Sequence, residues 1–227
     1  MNREKFLSRI REATAAGRAY RVHLPAFDSQ AGYQGAGADP VACLVAEVNT
    51  VGGQAQVVAN DEEARTSLRQ FFEHYKPRSA LCWRHPVLDR VGLAQLLEAS
   101  GIESIDPQSL SDLEPSEQRQ RMFAADIGIT SVDVAIAETG TLAVASGPVT
   151  PRTASLLPPV HIAIVDKAQI VPDLFDLFAK LEAEGPQNLP SNVTLITGPS
   201  KTGDLELRLT TGVHGPGHWH VIVIAES

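Results

Sequence analysis

Polar and reactive groups crowd around glycines and prolines in two stretches of this chain. The richer one runs from Ile196 through Thr197, Gly198, Pro199, Ser200, Lys201, Thr202, Gly203 and Asp204, and returns at Gly212-Val213-His214-Gly215-Pro216. Backbone N–H groups near Gly198 and Gly203, the hydroxyls of Ser200 and Thr202, and the Lys201 ammonium can together cradle a carboxylate or phosphate. Asp204 and His214 stand beside them as further polar contacts. The other stretch runs Gly128-Ile129-Thr130, Glu138-Thr139-Gly140-Thr141, Pro151-Arg152 and Ser155-Leu156-Leu157-Pro158. Glu138, beside a glycine turn, suits a nucleophile, a ligand contact or a hydrogen-bonded structural carboxylate. Arg152 suits either a two-pronged contact to an anion or a surface salt bridge.

Other constellations are weaker. Lys201-Thr202 resembles the end of a P-loop, but the first glycine is missing and Pro199 removes a backbone donor, which argues against nucleotide hydrolysis. Ser155, His161 and Asp166 suggest a hydrolase triad. If His161 and Asp166 share a strand, however, five positions put them on opposite faces and roughly 16 Å apart at about 3.3 Å per residue. His161 then reads as a strand residue with its ring hydrogen-bonded. His218 and His220 have the spacing to share a metal given a third ligand. A surface pair is the simpler reading, so no metal is assigned.

In order and at natural spacing, the segments GIT, AETGT, SLLPPVHIA, ITGPSKT and GVHGP make the chain, over roughly residues 40–225, resemble the LUD-domain family in its lactate utilization protein C type. Lys201 stands where the family more often has arginine, and Gly203 where it has alanine. The resemblance implies an α/β fold of the kind shared by glucosamine-phosphate isomerases, ribose-phosphate isomerases and coenzyme A transferases. Coenzyme A transferases of that fold use a strand-end glutamate as nucleophile, which is the analogy for a catalytic Glu138. The resemblance also implies a role in L-lactate utilization beside iron–sulfur partner proteins that oxidise lactate to pyruvate. An alternative is a stand-alone enzyme or binding protein for a small carboxylate, acyl or phosphorylated ligand.

The elements needed to position these groups follow from periodicity. Residues 1–17 read as a helix ended by Gly17, and 18–40 as a glycine-rich arm, giving an appendage (1–40) and an α/β body (41–227). Val41–Val48, Gln54–Ala59, Ser79–Trp83 and Val160–Asp166 read as strands. Asn60 with Glu63 proposes a capping box for a helix to about Tyr75. Further helices are expected near Val87–Ser100, Ser116–Ala125 and Pro172–Leu181, the last with Leu174, Phe175, Leu177 and Phe178 inward. Val132–Ala137 and Thr141–Ala145 form a hairpin-like pattern with Gly140 at positive φ. Val193–Thr197 and His220–Ile224 complete a mostly parallel sheet. Its carboxyl edge is expected to gather one polar pocket from Thr130 and Glu138–Thr141 on one side and Ser200, Thr202, Asp204 and His214 on the other.

Bulk properties narrow the function. A formal charge of −8 with scattered basic residues argues against nucleic acid as a partner. No apolar run approaches the ~20 residues that span a bilayer, so the protein is expected to be cytoplasmic, without membrane insertion. The two cysteines, Cys43 and Cys82, lie in apolar, strand-like runs without CxxC spacing. An iron–sulfur cluster needs about four thiolates, so no cofactor is expected in this chain. Its partners would be the iron–sulfur proteins and a small anionic ligand, and an oligomer is compatible with the sequence.

Overall fold

The computed structural model describes residues 3–18, 35–203 and 209–226. The chain divides into two units, Met1–Tyr33 and Gln34–Ser227. The first contributes helix α1 (Arg3–Arg18), which continues one residue past Gly17 and leaves Phe6 and Ile10 exposed.

The second unit opens on a helix. Residues Val41–Val48, expected as a strand, belong to helix α2 (Pro40–Thr50). The Asp39 carboxylate accepts the backbone N–H groups of Val41 and Ala42, and Pro40 fills the first turn, where its missing N–H costs nothing. Leu44 and Val48, one turn apart, are fully buried. Cys43 is therefore a helix residue. Strand β1 (Gln54–Val58) and helix α3 (Asp61–Tyr75) follow. Asn60 caps α3 by accepting from Glu62 and Glu63, whereas the Glu63 carboxylate reaches back to the N–H of Ala59, one residue beyond the reciprocal partner expected. After β2 (Ser79–Cys82), the helix expected over 87–100 is two: α4 (Pro86–Val91) and α5 (Leu93–Ala99). Gly92 at φ +73 breaks them, a backbone geometry that glycine adopts without strain.

The chain continues through β3 (Glu103–Ile105), α6 (Pro107–Ser111), α7 (Pro115–Phe123) and β4 (Ile127–Thr130). Strands β5 (Val134–Ile136) and β6 (Thr141–Ala145) flank a single 3-10 turn, Ala137–Thr139. Then come α8 (Thr153–Leu156), β7 (Val160–Asp166), β8 (Ile170–Val171), α9 (Leu174–Glu184), β9 (Val193–Ile196), β10 (Lys201–Gly203), β11 (Leu209–Thr211) and β12 (His218–Ile224).

Among the described residues, six strands form one wholly parallel sheet in the order β1-β12-β7-β4-β2-β3. Every residue of β7 is buried, as expected for a central strand covered on both faces. Antiparallel pairing is confined to smaller sheets: β8-β5-β6-β9, in which β5-β6 and β6-β9 run antiparallel, and the β10-β11 ribbon. Thus β9 does not complete the main sheet, contrary to the expectation, but closes the second one. The second sheet has its own small core of Val134, Ile136, Ala143, Val171 and Leu177. On α9 only Leu177 is buried, while Leu174, Phe175 and Phe178 are 37, 54 and 51% exposed. Of the four residues expected to point inward, Leu177 alone is buried, and the partly buried Leu181, one turn on, packs beside it on this small core.

Candidate functional site

Antiparallel pairing of β6 with β9 brings the two motif stretches together. Leu142 lies opposite Ile196, and one step further the hydroxyls of Thr139, Thr141 and Thr197 form a chain, with Oγ1–Oγ1 separations of 2.7 and 2.8 Å. Both glycine turns then sit against the C-terminal half of α2. Gly140 has φ +62, and a Cβ there would lie 2.6 Å from the backbone N of Val48. Gly198 has φ +93, and its Cβ would lie 2.8 Å from the carbonyl oxygen of Val51. Glycine is required at both for conformation and for space. Lys201 Nζ donates to that same Val51 carbonyl, where a cation complements the C-terminal end of the helix. Lys201 is thus engaged with the scaffold.

Glu138 is half-buried on the 3-10 turn, and its backbone N–H donates to the Pro172 carbonyl at 3.1 Å. Its carboxylate lies close enough to α2 for its charge to act on Cys43. Burial pushes the Cys43 thiol up, and the charges of Glu47 and Glu138 add to the effect. Arg152 is exposed just before α8 and makes no ion pair among the described residues. Thr202 lies in β10, opposite Thr210. Asp204 lies outside the described residues.

From the second motif stretch, Gly198, Ser200 and His214 line a cavity of about 180 Å³. Its floor is supplied by the buried residues Ser155, His161 and Trp219. His161 and Trp219 are register partners on β7 and β12, each the second residue of its strand. The cavity therefore opens at the amino ends of these strands and not at the carboxyl edge where the pocket was expected. The reason is local: β9 and the loop after it are held by the second sheet, which delivers them to this end.

The floor is polar and incompletely paired. His161 is fully buried, and its Nε2 lies 2.8 Å from Thr130 Oγ1. Burial, with a smaller contribution from His220, pushes its pKa down to about 3, so the ring is neutral at physiological pH. Its Nδ1 and the Nε1–H of Trp219, which is 2% exposed, have no hydrogen-bond partner among the described residues. Trp219 is fixed by close packing on Gly53, where a Cβ would sit 2.5 Å from the indole Cε3. Gly128, opposite His161 on β4, permits another close approach. A Cβ there would fall 1.8 Å from the Ala154 carbonyl, so α8 seats directly on β4.

Several readings of the sequence are resolved here. Ser155 Oγ donates to the Arg152 carbonyl at 3.0 Å, and Asp166, at the far end of β7, binds Arg90 at 2.6 Å. No Ser–His–Asp triad forms. His218 is exposed while His220 is buried, with Nε2 2.7 Å from the Tyr75 hydroxyl, and no cluster of three or more His, Cys, Asp or Glu able to hold a metal occurs among the described residues. Thr130 meets the site through His161, whereas Thr139, Gly140, Thr141 and Lys201 hold the turns that shape it. Sequence reasoning missed Trp219, although a tryptophan three residues after GVHGP, at the start of an apolar run, is a usable signal. A larger groove, about 1020 Å³, lies along α3 and α5, but its Arg65, Arg69 and Arg90 are already paired with Glu62, Asp61 or Asp166.

Residues 41–224 match the LUD domain family model. The chain is 37% identical over 157 residues to Lactate utilization protein C of Halalkalibacterium halodurans, covering 68% of this chain and 66% of that protein. It is 30% identical over 239 residues to Lactate utilization protein C of Bacillus subtilis, covering 99 and 97%. In three dimensions it is similar to a DUF162 family protein from Deinococcus radiodurans, with a TM-score of 0.56 and 20% identity, over 82% of this chain and 96% of that one.

Proposed function

Because the chain belongs to the LUD domain family, we propose that it is a component of an L-lactate utilization system, acting in the cytoplasm with iron–sulfur proteins that oxidise L-lactate to pyruvate. The observation that carries this reading is the nearly end-to-end relatedness to Lactate utilization protein C of Bacillus subtilis, 99% of this chain against 97% of that one. The chemistry of the chain supports a division of labour. Oxidation of lactate releases two electrons, and a cluster to receive them needs about four thiolates. This chain has two cysteines. Burial pushes the Cys82 thiol up to about 12 and raises that of Cys43, so neither is disposed to ionise. The electrons pass to partner proteins, and this chain supplies binding and positioning.

Within that role Gly198, Ser200 and His214 form the ligand cavity. Thr130 orients His161, and Thr139, Gly140, Thr141 and Lys201 hold the loops. Thr202, on β10, and Asp204 are assigned as further polar contacts to the ligand. Arg152 supplies an exposed cation near α8, and Glu138 supplies a carboxylate on the α2 side. Deleting the gene in its host is expected to abolish growth on L-lactate as sole carbon source, and tagged protein is expected to co-purify with iron–sulfur proteins. Unimpaired growth, or turnover of lactate by the purified chain alone, would overturn the proposal. Glu138→Gln is expected to weaken lactate-dependent growth while shifting Tm by no more than about 2 °C. A variant that chiefly unfolds would make Glu138 structural.

A further inference from the structure

We propose that the cavity between the 194–200 segment and the amino ends of β7 and β12 binds a short 2-hydroxy or 2-oxo carboxylate, gripped at its floor by the Trp219 indole N–H and His161 Nδ1. This rests on the functional reading above and specifies its ligand contacts. Two polar atoms this deeply buried and without partners are unusual in a native protein, because each has given up water without compensation. Five such atoms occur among the described residues, and these two belong to residues that line one cavity, with both rings fixed: Trp219 by its contact with Gly53, His161 by its bond to Thr130. They are preorganised to meet something that enters.

The donor set selects the ligand. An indole N–H can only donate, so the ligand must present an acceptor oxygen there. His161 is more adaptable. If the Thr130 hydroxyl donates to Nε2, Nδ1 carries a proton and meets a carbonyl or carboxylate oxygen. If Thr130 accepts instead, Nδ1 is bare and meets a hydroxyl. An alcohol or a ketone beside a carboxylate can therefore be accommodated at one site. Size points the same way, since about 180 Å³ is below the roughly 300–1,000 Å³ of drug-sized pockets. Around the opening, Leu156 and Leu195 are 36 and 48% exposed and offer an apolar lip for a short alkyl end. Phosphate suits the cavity poorly: these neutral floor groups return little of the hydration that a multiply charged anion gives up.

The chain has two tryptophans, and the other provides an internal control, because Trp83 Nε1–H is already bonded to the Pro151 carbonyl at 2.9 Å. In ¹⁵N–¹H spectra of the full chain, sodium L-lactate or pyruvate is expected to move the Trp219 indole signal saturably and to leave that of Trp83 in place. Propionate, which lacks the oxygen on C2, is expected to bind at least tenfold more weakly, and inorganic phosphate not to move the signal. By calorimetry, Trp219→Phe, which keeps a ring against Gly53, is expected to lose at least tenfold in affinity. Should that variant misfold, the wild-type spectra decide alone. A Trp219 signal unmoved by both acids, an equal response to propionate, or a response to phosphate would overturn the assignment. Growth separates the two readings. Gene-dependent growth on lactate with an unresponsive Trp219 leaves the functional reading standing and removes this site. A responsive Trp219 with gene-independent growth does the reverse.

Discussion

His161 and His220 lie on adjoining strands but point to opposite faces, since His161 is level with Trp219 and His220 with Ile162. Burial dominates the chemistry of both. The pKa of His161 falls to about 3 and that of His220 to about 4, the latter also repelled by His218 and His74. Both folded values lie below the ordinary 6.5, so the unfolded chain binds more protons as pH drops. Their contribution to stability is complete above about pH 6.5 and is lost on acidification, towards pH 4 for His220 and pH 3 for His161. Each can contribute up to ~1.4 kcal/mol per pH unit. Urea midpoints measured between pH 7.5 and 5, above the range of ordinary carboxylates, are expected to fall steadily; a flat profile would show that both rings take up protons as readily in the folded chain as in the unfolded one. Little of this could be read from residue types. His161 looked like a strand histidine with a bonded ring, and it is one, but the tryptophan beside it comes from a strand more than 50 residues later.

Two of the departures among the elements turn on context that a short stretch of sequence lacks. The apolar run over Val41–Val48 fits a buried strand as well as a helix when read alone, and short runs of this kind are ambiguous by periodicity. The deciding signal was Asp39-Pro40, a side-chain cap followed by a residue that favours a first helical turn. On α9 the helix itself was legible, and Asp173 caps it as a sequence reading would ask, but how many apolar residues it buries depends on the sheet it meets. Leu177 is 4% exposed and belongs to the small core, whereas Phe178 is half exposed. Leu177→Ala is expected to cost about 2–4 kcal/mol in urea denaturation, by loss of burial and creation of a cavity. Phe178→Ser is expected to stay within about 0.5 kcal/mol. Equal costs would mean that Phe178 has a partner beyond this small core.

Taken whole, the second unit carries its own core. The buried apolar residues run from Ala36 to Ile224, and α2 supplies Leu44 and Val48 to it. A chain beginning at Gln34 is therefore expected to unfold cooperatively, with a urea midpoint close to that of the full chain. A chain beginning at Val41, lacking the Asp39 cap and Pro40, is expected to lose about 1 kcal/mol or more. Loss of cooperativity in the longer of the two would show that residues 1–33 complete the core. No described helix is long and apolar enough to cross a membrane.

The sequence by itself determined the α/β class, the strand at 160–166, the glycine turns at 140 and 198 and the family, because each rests on local periodicity, backbone conformation or ordered motifs. Tertiary structure alone decided where those turns lead. Pairing of β6 with β9 joins two motif stretches more than 50 residues apart, and the parallel register of β7 with β12 puts Trp219 beside His161. Long-range strand pairing leaves almost no trace in local residue order, and neither does the burial that leaves His161 Nδ1 and Trp219 Nε1 without partners among the described residues. Through those contacts the site came to lie at the amino ends of the central strands, with a tryptophan in its floor.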